Sequence, residues 1–240
     1  MDIISLKPDY LSKLFENLED NINANKISLY CPIMDNLHDL DEDDYLDNYI
    51  FKSKYFVKEL IESTVEEKSS QNTPYIKREY KAYIMNNYNK QLIKKTIFIK
   101  VNPILDVISF ILDRYKLDSD YLPNFKENIT STYINNFNNQ AYIDSFFSFL
   151  SSKLTESGKA PCFPLYYGTV SALLNKYKFD ITEDYSKIKY HNKFQSNLNS
   201  KFKLNEIEIE DSDKDFSSVS NTSSDYSDTT NSNNSSLSID

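Results

Sequence analysis

Four apolar blocks between Lys94 and Leu174 set what this chain can fold into. Thr96-Ile97-Phe98-Ile99-Lys100-Val101 is β-branched and apolar on both faces, and reads as a strand that ends in a lysine. Pro103, acceptable in a first helical turn, opens a helix predicted to run to Tyr115, with Ile104, Val107, Ile108, Ile111 and Leu112 as its buried stripe. Tyr142 to Leu154 is a second helix, with Ile143, Phe146, Phe147 and Leu150 on one face. Gly158 ends it, and Pro161 and Pro164 keep the next segment extended into the strand Phe163 to Val170. Strands and helices mixed in this order predict an α+β fold, a small antiparallel sheet packed with helices.

The flanking segments fit around that centre. Residues 8 to 24 have helical spacing at Tyr10, Leu11, Leu14, Phe15 and Leu18, and Ile27 to Tyr30 reads as a short strand stopped by Pro32. His38 to Asp47 is an acidic loop, Tyr49 to Val57 a strand, and Glu59 to Thr73 a loop with a helical turn. Tyr80 to Met85 and Thr96 to Val101 form a hairpin around the asparagine-rich turn Asn86 to Lys90. Residues 117 to 139 are an Asn-rich connection. Leu165 to Leu174 and Tyr177 to Ile181 bracket Asn175-Lys176 as a second hairpin, and Asp184 to Leu198 is weakly helical. After Leu204 the composition turns to Glu, Asp, Ser, Asn and Thr, with almost nothing to bury, which predicts disorder. The expected organisation is therefore a helical extension with an acidic loop over 1–48, a mixed domain over 49–204 and a disordered acidic tail over 205–240.

Several functions are excluded by what is missing. Two glycines in 240 residues, against a usual ~7%, cannot build a glycine-rich phosphate loop, and no nucleophile-elbow or His-Glu-x-x-His motif occurs. The scarcity of Gly and Arg beside abundant Asn, Ile, Lys and Tyr reads as codon pressure from an A/T-rich genome. A net charge of −9 argues against broad binding to nucleic acid or anionic lipid, although Lys77 to Lys100 is locally basic. No apolar run is long enough to span a membrane. Cys31 and Cys162, without a secretory leader, read as reduced structural thiols of an intracellular protein. His38 and His191 are the only histidines, and neither has metal-ligand spacing.

The candidate site is a pair. Lys100 ends an apolar strand, so its ammonium must reach solvent or meet a carboxylate or phosphate. Asp144 is the acid within the phenylalanine-rich helix. The two are natural partners, provided the fold brings the strand end and the helix together.

The order of these parts resembles the small lobe of a protein kinase, and the wording of Ile99 to Asp106, Tyr142 to Leu150 and Phe163-Pro164-Leu165-Tyr166-Tyr167-Gly168 is similar to the kinase-like proteins of giant DNA viruses. The resemblance covers roughly residues 50 to 200. It implies a kinase-small-lobe-like fold in which Lys100 faces nucleotide phosphates and Asp144 orients it. It also implies a host-cytoplasmic or virion location. The departures are definite. No glycine-rich loop is present, the helix acid is an aspartate one methylene shorter than the usual glutamate, and the helix from Pro103 intervenes. The catalytic His-x-Asp loop and the metal-binding Asp-Phe-Gly are absent from these residues. The resemblance therefore implies an inactive N-terminal lobe or fragment, with ATP and magnesium entering only if a C-terminal kinase-like lobe is supplied. The competing expectation is a non-enzymatic viral interaction or adaptor protein that binds a host protein. Its tail would carry acid-directed phosphorylation sites at Ser212 and Thr222, each with an aspartate three residues on.

Overall fold

A three-stranded antiparallel sheet carries the site. Its strands are β4 (Tyr55–Ser63), β5 (Glu79–Asn86) and β6 (Leu92–Phe98), in the order β4-β5-β6. The computed structural model describes residues 3–38, 49–63, 79–115, 122–123, 133–208 and 235–239. Tyr80 pairs with Ile97, Ala82 with Lys95 and Ile84 with Ile93. Alternation puts Tyr80, Ala82 and Ile84 on the buried face, where Phe56, Leu60 and Ile97 join them. The expected Asn86–Lys90 turn closes the β5–β6 hairpin. The Lys90 amide donates to the Asn86 carbonyl at 2.8 Å, and Lys90 takes a positive φ of 59°.

Helix α1 (Pro8–Ile22) lays Leu11, Leu14, Leu18 and Ile22 on that sheet face. Pro8 stands in its first turn and Asn23, at φ 53°, ends it in the left-handed conformation that asparagine tolerates. Asn17 joins helix to sheet: its side chain donates to the Leu60 carbonyl at 2.9 Å and accepts from the Leu60 amide at 2.7 Å. These bonds satisfy backbone beside a register shift in β4. The described residues of the N-terminal region thus share a core with the sheet. They also share strand pairing: β1 (Ile3–Ser5) pairs with β3 (Tyr49–Phe51), and β2 (Ala24–Ser28) with β7 (Ser171–Leu174).

Two further clusters complete the interior. One gathers Cys31, Ile33 and Met34, at the start of helix α2 (Pro32–His38), with Phe51, Tyr142 and Phe149. The other gathers Ile111 and Leu112 with Ile181, Ile188, Phe194 and Phe202, bringing helix α3 (Val107–Ile111) to α5 (Thr182–Ile188) and α6 (Asn192–Asn197). Asn197, buried there, donates to the Ile111 carbonyl at 2.7 Å.

The α+β class with small antiparallel sheets holds; several elements differ from the sequence reading. The strand expected over Tyr49–Val57 is two strands in two sheets, broken where buried Ser53 turns its hydroxyl onto the Tyr55 carbonyl at 2.5 Å. Residues 59–63, expected in a loop, continue β4, and Pro32 opens a helix where only a strand stop was expected. The helix expected from Pro103 to Tyr115 shrinks to five residues, because Asp106 caps it late by accepting from the Ser109 amide at 2.7 Å. Asn175-Lys176 does not close a hairpin: β7 pairs with β2, while β8 (Phe179–Asp180) pairs with β10 (Ser235–Ile239). Strand β10 lies between β8 and β9 (Leu204–Glu208), antiparallel to both. The acidic loop at 39–47, Ser69–Asn72, most of 117–132 and the tract 209–234, on which most of the expected disorder falls, lie outside the described residues. Among the described residues no helix is long and apolar enough to cross a membrane.

Candidate functional site

Strand β6 ends at Phe98, so Lys100 stands two residues past the strand rather than within it, where its side chain is free to turn toward helix α4 (Gln140–Glu156). Asn139 starts that helix by accepting from the Ala141 amide at 2.9 Å, which fixes Asp144 in its second turn. The Lys100 ammonium donates to both carboxylate oxygens of Asp144 at 2.7 Å, and Asn102 donates to Oδ2 at 2.7 Å. The Asp144 side chain is 34% exposed and that of Lys100 59%. The hydrogen bond from Lys100 holds the Asp144 carboxyl below its ordinary value; partial burial opposes this and Asn102 reinforces it. A pair this exposed contributes about 0–1 kcal/mol to stability, so its consequence is positional. An ammonium has three donors. Two serve Asp144.

The pair sits on the wall of a cleft of about 1530 Å³ between the sheet, α4 and the segment 163–177. Phe56, Leu60 and Ile97 supply an apolar side; Ser145, Tyr166 and Thr169 supply hydroxyls. Ser145 and Thr169 share a hydrogen bond of 2.6 Å, and burial pushes the ionisation of the nearby Tyr166 hydroxyl well above the ordinary phenol range, with the Thr169 and Ser145 hydroxyls opposing it in part. The 163–177 segment is tied to the sheet where the Val57 amide donates to the Tyr167 carbonyl at 2.9 Å. Gly168 follows at φ 134°, and a Cβ there would lie 3.3 Å from the Phe56 ring, so the backbone approaches the sheet as only glycine allows.

Lys100 and Asp144, singled out from sequence, are thus brought into contact. Asn102 and the Ser145–Tyr166–Thr169 hydroxyls were not singled out. Asn102 had one available signal: on an extended chain a residue two past Lys100 points to the same side. The hydroxyls had none, since Ser145 and Thr169 are 24 residues apart. His191, read as a surface residue, is exposed, and its Nδ1 accepts from the Lys193 amide at 3.2 Å to start α6. Among the described residues no three His, Cys, Asp or Glu side chains gather to hold a metal. The arrangement presents an ammonium donor and a group of hydroxyls to the cleft. Compared with protein-family models, curated proteins and solved structures, the chain matches none.

Proposed function

We propose that this chain is a nucleotide-phosphate-binding lobe of the protein-kinase type, similar to the small lobes of giant-virus kinase-like proteins, and that alone it transfers no phosphoryl group. The observation that carries the reading is the Lys100–Asp144 pair, an ammonium held by a helix carboxylate at a cleft wall with one donor left over. The residues fit a phosphate and not a metal. Asp144 is already engaged by Lys100 and Asn102, so magnesium would arrive with the nucleotide and find its ligands on a second lobe. The connection from β4 to β5 contains no glycine, so phosphate recognition rests on Lys100 rather than on a backbone cradle.

Thermal shift of the full chain with ATP and magnesium, beside Lys100→Ala, tests this. Nucleotide at 100 times its Kd adds about 2.7 kcal/mol, and at about 2–4 °C per kcal/mol for a chain of this size the melting temperature rises by roughly 5–10 °C. The rise disappears in Lys100→Ala. No rise at saturating nucleotide overturns the reading and leaves the adaptor.

A further inference from the structure

Helix α4 carries two apolar faces and buries only one, that of Tyr142 and Phe149. Its buried residues include Ser151 and Ser152, and its solvent side carries Ile143, Phe147, Leu150 and Leu154 at 45%, 61%, 43% and 41% exposure. From periodicity, Ile143, Phe147 and Leu150 belong with Phe146 on a core-facing stripe. Instead Phe149 takes the core position, stacked on Phe51 at 4.7 Å and edge-on to Tyr166 at 5.6 Å. The inward serines are satisfied locally: Ser152 accepts from the Tyr166 amide at 2.9 Å, and Ser151 donates to the Ser148 carbonyl at 3.1 Å. The helix is therefore anchored in one rotation, and its second apolar face looks outward.

The spacing of that face is 4-3-4, the a/d seam of a coiled coil. A seam of this spacing is complementary to another helix with the same spacing, and a second copy of α4 supplies one. We infer that the exposed face of α4 is an isologous interface through which two copies of this chain pair, their α4 helices antiparallel. A two-fold axis between Phe147 and Leu150 sets Phe147 over Leu150 of the second copy and Ile143 over its Leu154. On the flanks, Asp144 falls beside Ser151 and Phe146 beside Lys153, so no like charges meet. The helix has 17 residues and so is about 25 Å long at 1.5 Å per residue. Two such faces bury on the order of 1,000 Å² in total, the lower limit for a specific interface. The dimer is accordingly a weak one that forms with concentration. Because Asp144 adjoins the seam, pairing also steadies the helix that holds Lys100.

Sedimentation velocity of the full chain across a concentration series tests this, beside Phe147→Glu and Leu150→Glu. Both positions are exposed, so at concentrations where the wild type is monomeric these variants keep its circular dichroism and melting temperature. The expected result is a wild-type monomer–dimer equilibrium that shifts to monomer in either variant by at least tenfold in dissociation constant. A wild type that stays monomeric at high concentration overturns the inference and points to a different helix as the occupant. A dimer that survives both substitutions overturns it too, since the copies would then be meeting through another surface.

Discussion

Gly168→Ala is the sharpest test of how the cleft is built. Gly168 has φ 134°, a region L-residues rarely enter, and a Cβ would sit 3.3 Å from Cε2 and 3.6 Å from Cδ2 of Phe56. The backbone strain costs on the order of 1–3 kcal/mol. The contact adds to it, because Phe56 is 2% exposed, packs against Tyr10 at 6.1 Å between ring centroids and cannot swing aside. Together the loss is about 3 kcal/mol, or roughly 6–12 °C in melting temperature at about 2–4 °C per kcal/mol. Gly158→Ala is the internal control. It too has a positive φ, 73°, but nothing lies within 4 Å of its added Cβ, so it bears only the left-handed backbone cost of about 1–2 kcal/mol. Urea unfolding of the two variants beside the wild type, with equal slopes, gives the difference directly. If Gly168→Ala proves no less stable than Gly158→Ala, the close approach of the Tyr167–Gly168 backbone to the sheet is not a packing constraint and the reasoning fails.

Two predictions concern the other clusters. Phe149→Ala should cost about 3–5 kcal/mol, since a 1% exposed ring stacked between Phe51 and Tyr166 leaves a cavity. The same truncation at Phe147, 61% exposed on the same helix, should stay within about 1 kcal/mol; comparable losses in urea titrations would mean the rotation of α4 is misassigned. The second concerns acid. Asp113 is drawn from 3.8 down to about 2, first by the hydrogen bond from Lys201, then by those from Asn197 and Lys193. A carboxyl depressed in the folded state stabilises above its unfolded value and loses that contribution as pH falls through the folded value. The window therefore runs from 3.8 to about 2. Asp113→Asn should flatten the fall of the urea midpoint across that window and leave its slope at neutral pH unchanged; an unaltered acid limb contradicts the assignment.

The pairing of Lys100 with Asp144 was legible because each residue is an exception in its own segment, a charge closing an apolar strand and an acid within an aromatic helix. The β5–β6 hairpin was legible because Asn86 to Lys90 closes on itself, the Lys90 amide donating to the Asn86 carbonyl at 2.8 Å and the Tyr88 amide to the Asn86 side chain at 2.9 Å, while the distant bonds from Asn87 to Ser53 and Lys54 leave that closure in place. Asn175-Lys176 looked equivalent and was not. Asn175 accepts from the Asn25 side chain at 2.7 Å, donates to the Asn23 side chain at 2.8 Å, and its amide donates to the Asn23 carbonyl at 3.1 Å. Partners about 150 residues away outbid a two-residue turn, and no local signal announces them. Strand β10 has the same origin: its polar sequence reads as tail, and its pairing comes from backbone groups supplied by β8 and β9.

The rotation of α4 shows why the site was easier to read than the surface around it. Periodicity ranks faces by how apolar they are, and α4 offers two. One carries Tyr142, Phe146 and Phe149, the other Ile143, Phe147, Leu150 and Leu154. Geometry outside the helix chooses between them. Phe51 and Tyr166 bracket Phe149, while Lys153 donates to the Lys52 carbonyl at 2.6 Å and Glu156 accepts from the Lys54 amide at 3.1 Å, locking the last turn to the β3–β4 bend. Once the first face is buried, Asp144 must stand at the boundary between core and solvent, within reach of Lys100, and the second face must point outward. The charge pair and the uncovered stripe are two consequences of one choice of rotation. A substitution that turned α4 to bury Phe147 would therefore dismantle both, and binding of nucleotide and self-association would fail together, whereas Leu150→Glu, on the exposed face and outside the cleft lining, should abolish only the second.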